Sequence, residues 1–404
     1  MLPKRSLFQL LEERHFPHHK MAFLVGPRQA GKTFLAKALL KEHSCSPLYY
    51  NWDDAYQKKK LLKDAYSFEK DFPSAKQPLV VFDEIHKYSR WKNFLKGVYD
   101  RFYPEVDFLI TGSGRLDVYK KGSDSLFGRF FIYHLLPLSV GELLENGLTP
   151  LSKQFQNFEE NKKARILYEN LWNYSGFPDP YLKKDEAYYQ QWENLRRELV
   201  LRQDVRDLSS VKELGMMEHL FHLLPERVGS PLSINSLTQD IETTFKTIQN
   251  WIHILERVYY LFCISPYSKK MARAIKKEKK VFLWNWRELE DEGKRFENLV
   301  AVHLKKFVSL YNDFGLAKLS LHYLRDKNKR EVDFILLKNE KPWVLIEAKL
   351  SDQAVSKDLL YYSDLLKPEH VFQIVSTPNV YFKKTTETQK AWVMSADRFL
   401  AGLV

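Results

Sequence analysis

The stretch GPRQAGKT, residues 26–33, constrains its surroundings more than any other part of the chain. It lies between an apolar run, Phe23 to Val25, and an amphipathic run, Phe34 to Leu40. Gly26 and Gly31 let the backbone curl so that several N–H groups point at one anion. A helix starting at Thr33 adds the positive end of its dipole to the same place. Pro27, Arg28, Gln29 and Ala30 complete the cradle. Lys32 is placed to reach β- and γ-phosphates, and Thr33 to hold Mg²⁺. Such a loop works only between a strand and a helix, and the flanking patterns predict that order.

A second signal is PLVVFDEIHK, residues 78–87. Leu79 to Phe82 is a short continuous apolar run, as in a strand buried on both faces of a parallel sheet. Asp83 and Glu84 follow at its C-terminal end, where open α/β sheets bind ligands. Asp83 is expected to bind Mg²⁺ through water, and Glu84 to polarise the attacking water. A third strand is expected within VDFLITGSG, residues 106–114, with the Ser113 hydroxyl at its end to hold water or sense the γ-phosphate. Arg129 precedes a further apolar strand. From there it is placed to act on a neighbouring subunit's phosphoryl group.

These stretches resemble the AAA-plus class of P-loop ATPases. More narrowly, they resemble a prokaryotic group whose ATPase core carries a conserved C-terminal domain of uncharacterised function. The likeness rests on GPRQAGKT, VVFDEIHK, ITGSGR, DSLFGR with LLPLSVGEL, YSGFP, LRQDVRDL, ERVYYLFCISPYS, GKRFENLV and EVDFIL…LIEAKLS. It implies ATP and Mg²⁺ as cofactors, with Lys32 and Thr33 on phosphate and metal, and Asp83 and Glu84 on metal and water. It also implies Ser113 as sensor and Arg129 as an arginine finger acting in trans within a homo-oligomer. One departure is FLWNW, residues 282–286, where relatives tend to carry an acid at the place of Asn285.

The C-terminal third brings a different constellation. REVDFILLKNEKPWVLIEAKLS, residues 330–351, reads as a strand hairpin. Asp333, thirteen intervening residues, Glu347, one residue and Lys349 form the D-(x)n-E-x-K arrangement of restriction-endonuclease-like domains. Two carboxylates on adjacent strands are expected to share a divalent metal, with the lysine steadying charge on a phosphate. Glu297, on a preceding helix, resembles that fold's helical acidic residue and is expected to complete the metal shell.

Between the two lie helical patterns. Residues 211–285 predict a helix, a second helix capped by Ser233, a third over TTFKTIQNWIHILERV, and two strands. Phe245, Ile248, Ile252 and Leu255 form the expected inner face of the third helix. Lys246, Gln249 and Asn250 are on the outer face, as in a helix that reads a DNA major groove. Residues 266–280 carry seven Lys or Arg against one Glu, a wing-like loop suited to phosphates.

The expected fold is therefore α/β. It has a P-loop AAA-plus parallel sheet over 1–150 and a helical lid over 151–210. A winged helix over 211–285 and an α/β restriction-endonuclease-like domain over 286–404 follow. A formal net charge of +12 favours an anionic partner, with DNA first. Two cysteines exclude a disulfide framework or a cysteine-based zinc site. No apolar run is long enough to span a bilayer, and the N-terminus lacks the apolar core of a signal peptide. A cytoplasmic location without membrane contact is expected.

Overall fold

Five short apolar runs become the strands of one parallel sheet: β1 (Met21–Val25), β2 (Tyr49–Asn51), β3 (Leu79–Asp83), β4 (Asp107–Thr111) and β5 (Phe130–His134). Their order is β2-β3-β4-β1-β5. All neighbours pair in parallel. Every residue of β1, β3 and β4 is buried, which explains why these strands read as continuous apolar runs and not as alternations. Helices α1 (Lys32–His43) and α2 (Trp91–Phe102) flank them. Trp91, Leu95, Val98, Tyr99 and Phe102 form the single buried stripe of α2, as a surface helix on a sheet requires.

The computed structural model describes residues 5–43, 48–73, 77–112, 126–156, 158–208, 214–268, 278–351, 354–385 and 390–403. The chain forms two compact units. One comprises Arg5–Leu136 with Arg257–Tyr259; the other holds Pro137–Glu256 and the chain from Tyr260 onward. Among the described residues no helix is long and apolar enough to cross a membrane.

The second unit begins with helices, among them α3 (Lys162–Tyr174) and α4 (Glu186–Leu199). Gly176 marks the end of the YSG turn; a Cβ there would meet the Trp286 ring at 2.5 Å and Leu138 O at 2.9 Å. Asn285 is fully buried at this junction. It accepts a hydrogen bond from Ser175 Oγ at 2.7 Å and donates to Tyr189 Oη and Glu288 Oε1 at 3.1 and 3.2 Å. An aspartate there would set a second carboxylate against Glu288, so the amide suits this chain.

Next come α5 (Leu214–Arg227), α6 (Ile234–Ile241), α7 (Phe245–Arg257) and the antiparallel pair β6 (Leu261–Ile264) and β7 (Lys280–Leu283). Ser233 caps α6 by accepting from Ser236 N, as the sequence suggests. Pro231 adds an antiparallel bridge to Lys280, so the chain between α5 and α6 extends this small sheet. On α7 the buried stripe is Ile248, Trp251, Ile252, Ile254 and Leu255. Phe245, expected inside, is 48% exposed because it starts the helix beyond the reach of the core.

The C-terminal part is a six-stranded mixed sheet of order β12-β13-β11-β10-β9-β8. It comprises β8 (Leu319–Arg325), β9 (Glu331–Lys338), β10 (Lys341–Lys349), β11 (His370–Val375), β12 (Tyr381–Thr385) and β13 (Lys390–Ser395). Helix α8 (Glu292–Asp313), capped by Asp291, packs against β8 and β10. Helix α9 (Lys357–Leu366) connects the parallel strands β10 and β11. Leu359 and Tyr362 of α9 join Val332, Ile335, Leu337, Leu345 and Val371 in one apolar cluster.

Strict alternation would put Val332 and Ile335 on opposite faces of β9. They share a cluster because the ladder to β8 shifts by one residue: His322 faces Ile335, but Leu324 faces Val332. Asp333 and Phe334 thus oppose Tyr323 alone. Such a bulge re-aims one side chain, and here that side chain is Asp333.

Candidate functional sites

At the C-terminal ends of β1 and β3 the loop expected to cradle phosphate takes shape. Gly26 has φ +143°, and a Cβ there would collide with the carbonyl of Leu135. Gln29 and Gly31 also have positive φ, +64° and +96°. Pro27 and Ala30 are buried, while Arg28 and Gln29 are half-buried. Lys32 opens α1 and is largely buried; its Nζ donates to the carbonyls of Gly26 and Pro27 at 3.0 and 2.8 Å. The ammonium is thereby held over the loop.

Thr33 Oγ1 donates to Asp83 Oδ2 at 2.8 Å. Asp83 is 2% exposed. It also accepts from the hydroxyls of Thr111, at the end of β4, and Tyr49, on β2. The sequence reading missed Tyr49. Its only signal was a strand-like LYYN before the second carboxylate strand, and the parallel register of Asn51 with Asp83 puts β2 alongside. Glu84 leaves the strand with φ +56°. Its carboxylate lies 3.6 Å from His86 Nε2 and 3.7 Å from Lys87 Nζ, and Lys87 also binds Asp53 at 2.7 Å. Burial raises the pKa of Glu84, opposed by the charges of Lys32 and Lys87. The site therefore gathers a fixed cation, a hydroxyl hydrogen-bonded to a buried carboxylate, and a second carboxylate whose burial favours the protonated form. These are the parts that phosphoryl transfer to water requires.

Two expected residues stand elsewhere. Ser113 lies outside the described residues. Arg129 immediately precedes β5, at the end of the sheet opposite the phosphate loop, and its carbonyl accepts from Met21 N at 2.9 Å. Strand length alone separates it from the loop by roughly 15 Å. Its guanidinium grips Asp100 of α2 in two bonds, at 2.6 and 3.1 Å. Arg129 does not join the phosphate loop of its own chain.

In the second unit, Asp333 and Glu347 are the next facing pair beyond Phe334 and Ile346 on the hairpin. Each closes the ladder with its side chain. Ala348 N donates to Asp333 Oδ2 at 2.9 Å, and Asp333 N donates to Glu347 Oε2 at 3.3 Å. Lys349 Nζ pairs with Glu347 Oε1 at 2.7 Å. Burial and the neighbouring Asp333 raise the pKa of Glu347.

Lys280 overturns one expectation. The sequence groups it with an exposed basic loop; its side chain is instead buried at the start of β7. The ammonium lies 2.9 Å from Glu297 Oε1, 2.7 Å from Glu331 Oε1 and 3.5 Å from Asp333 Oδ1. Burial disfavours the charge, but Glu297, Asp333 and Glu331 outweigh it and hold the pKa above that of an ordinary lysine. Removing one partner from such a buried cluster costs roughly 3–5 kcal/mol. Among the described residues no group of three or more His, Cys, Asp or Glu is arranged to hold a metal ion. Of the expected metal set, Glu297 and Asp333 therefore pair with a lysine and Glu347 with Lys349, and the residues present fit an ammonium better than a divalent ion. The rest of the basic loop, residues 269–277, lies outside the described residues.

The parallel sheet and the loop have the form of a P-loop nucleotide-binding domain, in keeping with the AAA family model that this part of the chain matches. Residues 18–144 match the family model described as AAA domain. Residues 165–286 and 292–395 match two domains of unknown function, DUF8612 and DUF4143. An uncharacterised protein of Methanocaldococcus jannaschii is 24% identical over 409 residues, covering 90% of this chain and 83% of the relative. An uncharacterised protein of Mycobacterium tuberculosis is 19% identical over 346 residues, covering 84% and 72%. Among solved structures, the Aeropyrum pernix ORC1 protein in complex with DNA aligns with a TM-score of 0.34 and 14% identity, over 74% of this chain and 93% of that one.

Proposed function

We propose that this protein binds and hydrolyses ATP with Mg²⁺, and couples its nucleotide state to binding of double-stranded DNA. The observation that carries the ATPase reading is the convergence of Lys32, Thr33, Asp83 and Glu84 at the C-terminal edge of one parallel sheet. In a homo-oligomer Arg129, which lies away from its own loop beside Asp100, would act on a neighbour's phosphates.

The DNA reading takes residues 151–210 as a helical lid and 211–285 as a winged helix. The order α5, bridge, α6, α7, β6, β7 supports it. The outer face of α7 exposes Lys246, Gln249, Asn250 and His253, and a groove beside it is lined by Asn235, Gln249 and Lys279. Lys269, Lys270, Arg273 and Lys276 add charge in the adjoining segment. Phosphate contacts release counterions, so affinity should fall steeply with salt. Reversing these four charges is expected to flatten the salt slope on duplex DNA of any sequence and to spare basal ATP hydrolysis. An unchanged slope would remove this segment from the DNA interface.

For residues 286–404 the restriction-endonuclease-like reading has two forms. A cutting enzyme needs Asp333, Glu347 and Glu297 free for metal, with Lys349 at the phosphate. The engagement of these carboxylates by protein donors favours the other form, a catalytically silent platform that docks a partner under nucleotide control. Plasmid incubated with Mn²⁺ and ATP separates the two: nicking that Asp333→Ala abolishes would restore the cutting form.

A further inference from the structure

The carboxylates of the C-terminal cluster come from α8 and from two strands of the mixed sheet. On β9, Glu331 and Asp333 are two residues apart, and both face Lys280. An ammonium has three N–H donors. Here three carboxylates stand within 3.5 Å of it. The other oxygens of Asp333 and Glu347 are also engaged. Asp333 Oδ2 accepts from Ala348 N, Glu347 Oε2 from Asp333 N, and Glu347 Oε1 binds Lys349. Beside Glu297 Oε2 runs the backbone of Gly229, where a Cβ would come within 2.7 Å. That glycine has φ +77°, and its N–H reaches Val281 O, beside Lys280.

We infer that Lys280 is a tethered cation that takes the place of a divalent ion between Glu297 and Asp333, so that this domain assembles and works without a metal ion there. The inference rests on the restriction-endonuclease-like reading of residues 286–404. A magnesium or manganese ion needs carboxylate oxygens at about 2.0–2.2 Å in near-octahedral array. An ion sharing Asp333 would face the ammonium across a few ångströms with like charge. The lysine provides the positive charge that keeps Glu297, Glu331 and Asp333 together, and it is part of the chain, so it cannot dissociate. β7 is thereby pinned to α8 and β9 within the same unit.

Mn²⁺ binding to the full chain without nucleotide, followed by electron paramagnetic resonance of the free ion, tests this. Wild type and Asp333→Asn are expected to bind the same amount. Lys280→Ala is expected to gain one Mn²⁺ at least tenfold tighter than any site in wild type, and Lys280→Ala with Asp333→Asn to lose it again. Lys280→Met serves if the alanine variant does not fold, and the comparison of wild type with Asp333→Asn and Glu347→Gln stands alone if neither does. Mn²⁺ binding by wild type that Asp333→Asn removes would overturn the tethered cation and leave the nuclease-like reading in place. Folded Lys280 variants that gain no Mn²⁺ would overturn both.

Discussion

Thr33 and Asp83 are hydrogen-bonded directly, hydroxyl to carboxylate at 2.8 Å, although they lie on different elements of the sheet domain. Both are expected on one magnesium ion, the threonine directly and the aspartate through water. The Thr33 hydroxyl can offer a lone pair to a metal while it still donates its proton to Asp83, so the groups that hold Asp83 also help to place the metal.

Lys32 and Glu84 serve different steps. Lys32→Ala removes the fixed cation over the loop, so ATP affinity is expected to fall about tenfold or more, equivalent to about 1.4 kcal/mol, with hydrolysis lost. Glu84→Gln keeps the cradle, so ATP is expected to bind as in wild type while turnover falls at least a hundredfold. Isothermal titration with ATP beside a phosphate-release assay distinguishes them; near-wild-type turnover in both would dismiss the site.

Tyr49 orients Asp83 without being placed to touch phosphate. A hydrogen bond to a charged group contributes about 1.5–3 kcal/mol. Tyr49→Phe is expected to weaken binding of Mg²⁺–ATP about tenfold and to leave binding of metal-free ATP unchanged. Equal losses with and without Mg²⁺ would make the role structural.

Arg129 is held by Asp100 at the far end of its own sheet. If it completes a neighbour's site, specific ATPase activity rises with protein concentration. Arg129→Ala is expected to lower turnover roughly a thousandfold, the low end of an arginine finger's effect. Mixing it with Glu84→Gln is expected to restore part of the activity at interfaces that pair an intact loop with an intact arginine. Concentration-independent turnover by a monomer would end that role.

His303 on α8 is 1% exposed. Its Nδ1 bonds the carbonyl of Leu299 at 2.8 Å, while its Nε2 accepts from Val140 N at 3.3 Å, which requires the neutral ring. Burial lowers its pKa to about 4; the Leu299 bond works against this, Lys306 reinforces it and Glu142 opposes it. The unfolded chain takes up the proton near pH 6.5 and the folded chain does not, so stability is complete above pH 6.5 and declines as the pH falls toward 4. Between pH 7 and 5 the loss from this group is roughly 2 kcal/mol. Urea unfolding at the two pH values measures it, and His303→Gln is expected to shrink the difference.

The loop and acids of the proposed ATP site could be picked out in the sequence because they are local. One loop between a strand and a helix carries the glycines, Lys32 and Thr33. A buried parallel strand announces itself as an apolar run, with Asp83 and Glu84 directly after it. Tyr49 was not readable in the same way, because only the register of β2 on β3 brings it to Asp83. The hairpin of Asp333 and Glu347 was visible in the spacing, but not the bulge that turns Asp333, since a one-residue slip leaves no mark on composition.

Lys280 is the clearest division between the two. By sequence it is one of seven basic residues in a short segment, and such density reads as a solvated, phosphate-seeking surface. Its partners are 17, 51 and 53 positions away (280 to 297, 331 and 333), on a helix and a strand that only the packed sheet brings to it. A charge's effect depends on distance and on exclusion of water, and neither is set along the chain. The amino-acid order determined that a cation and several carboxylates exist in this region; tertiary packing decided that they neutralise one another around a buried ammonium.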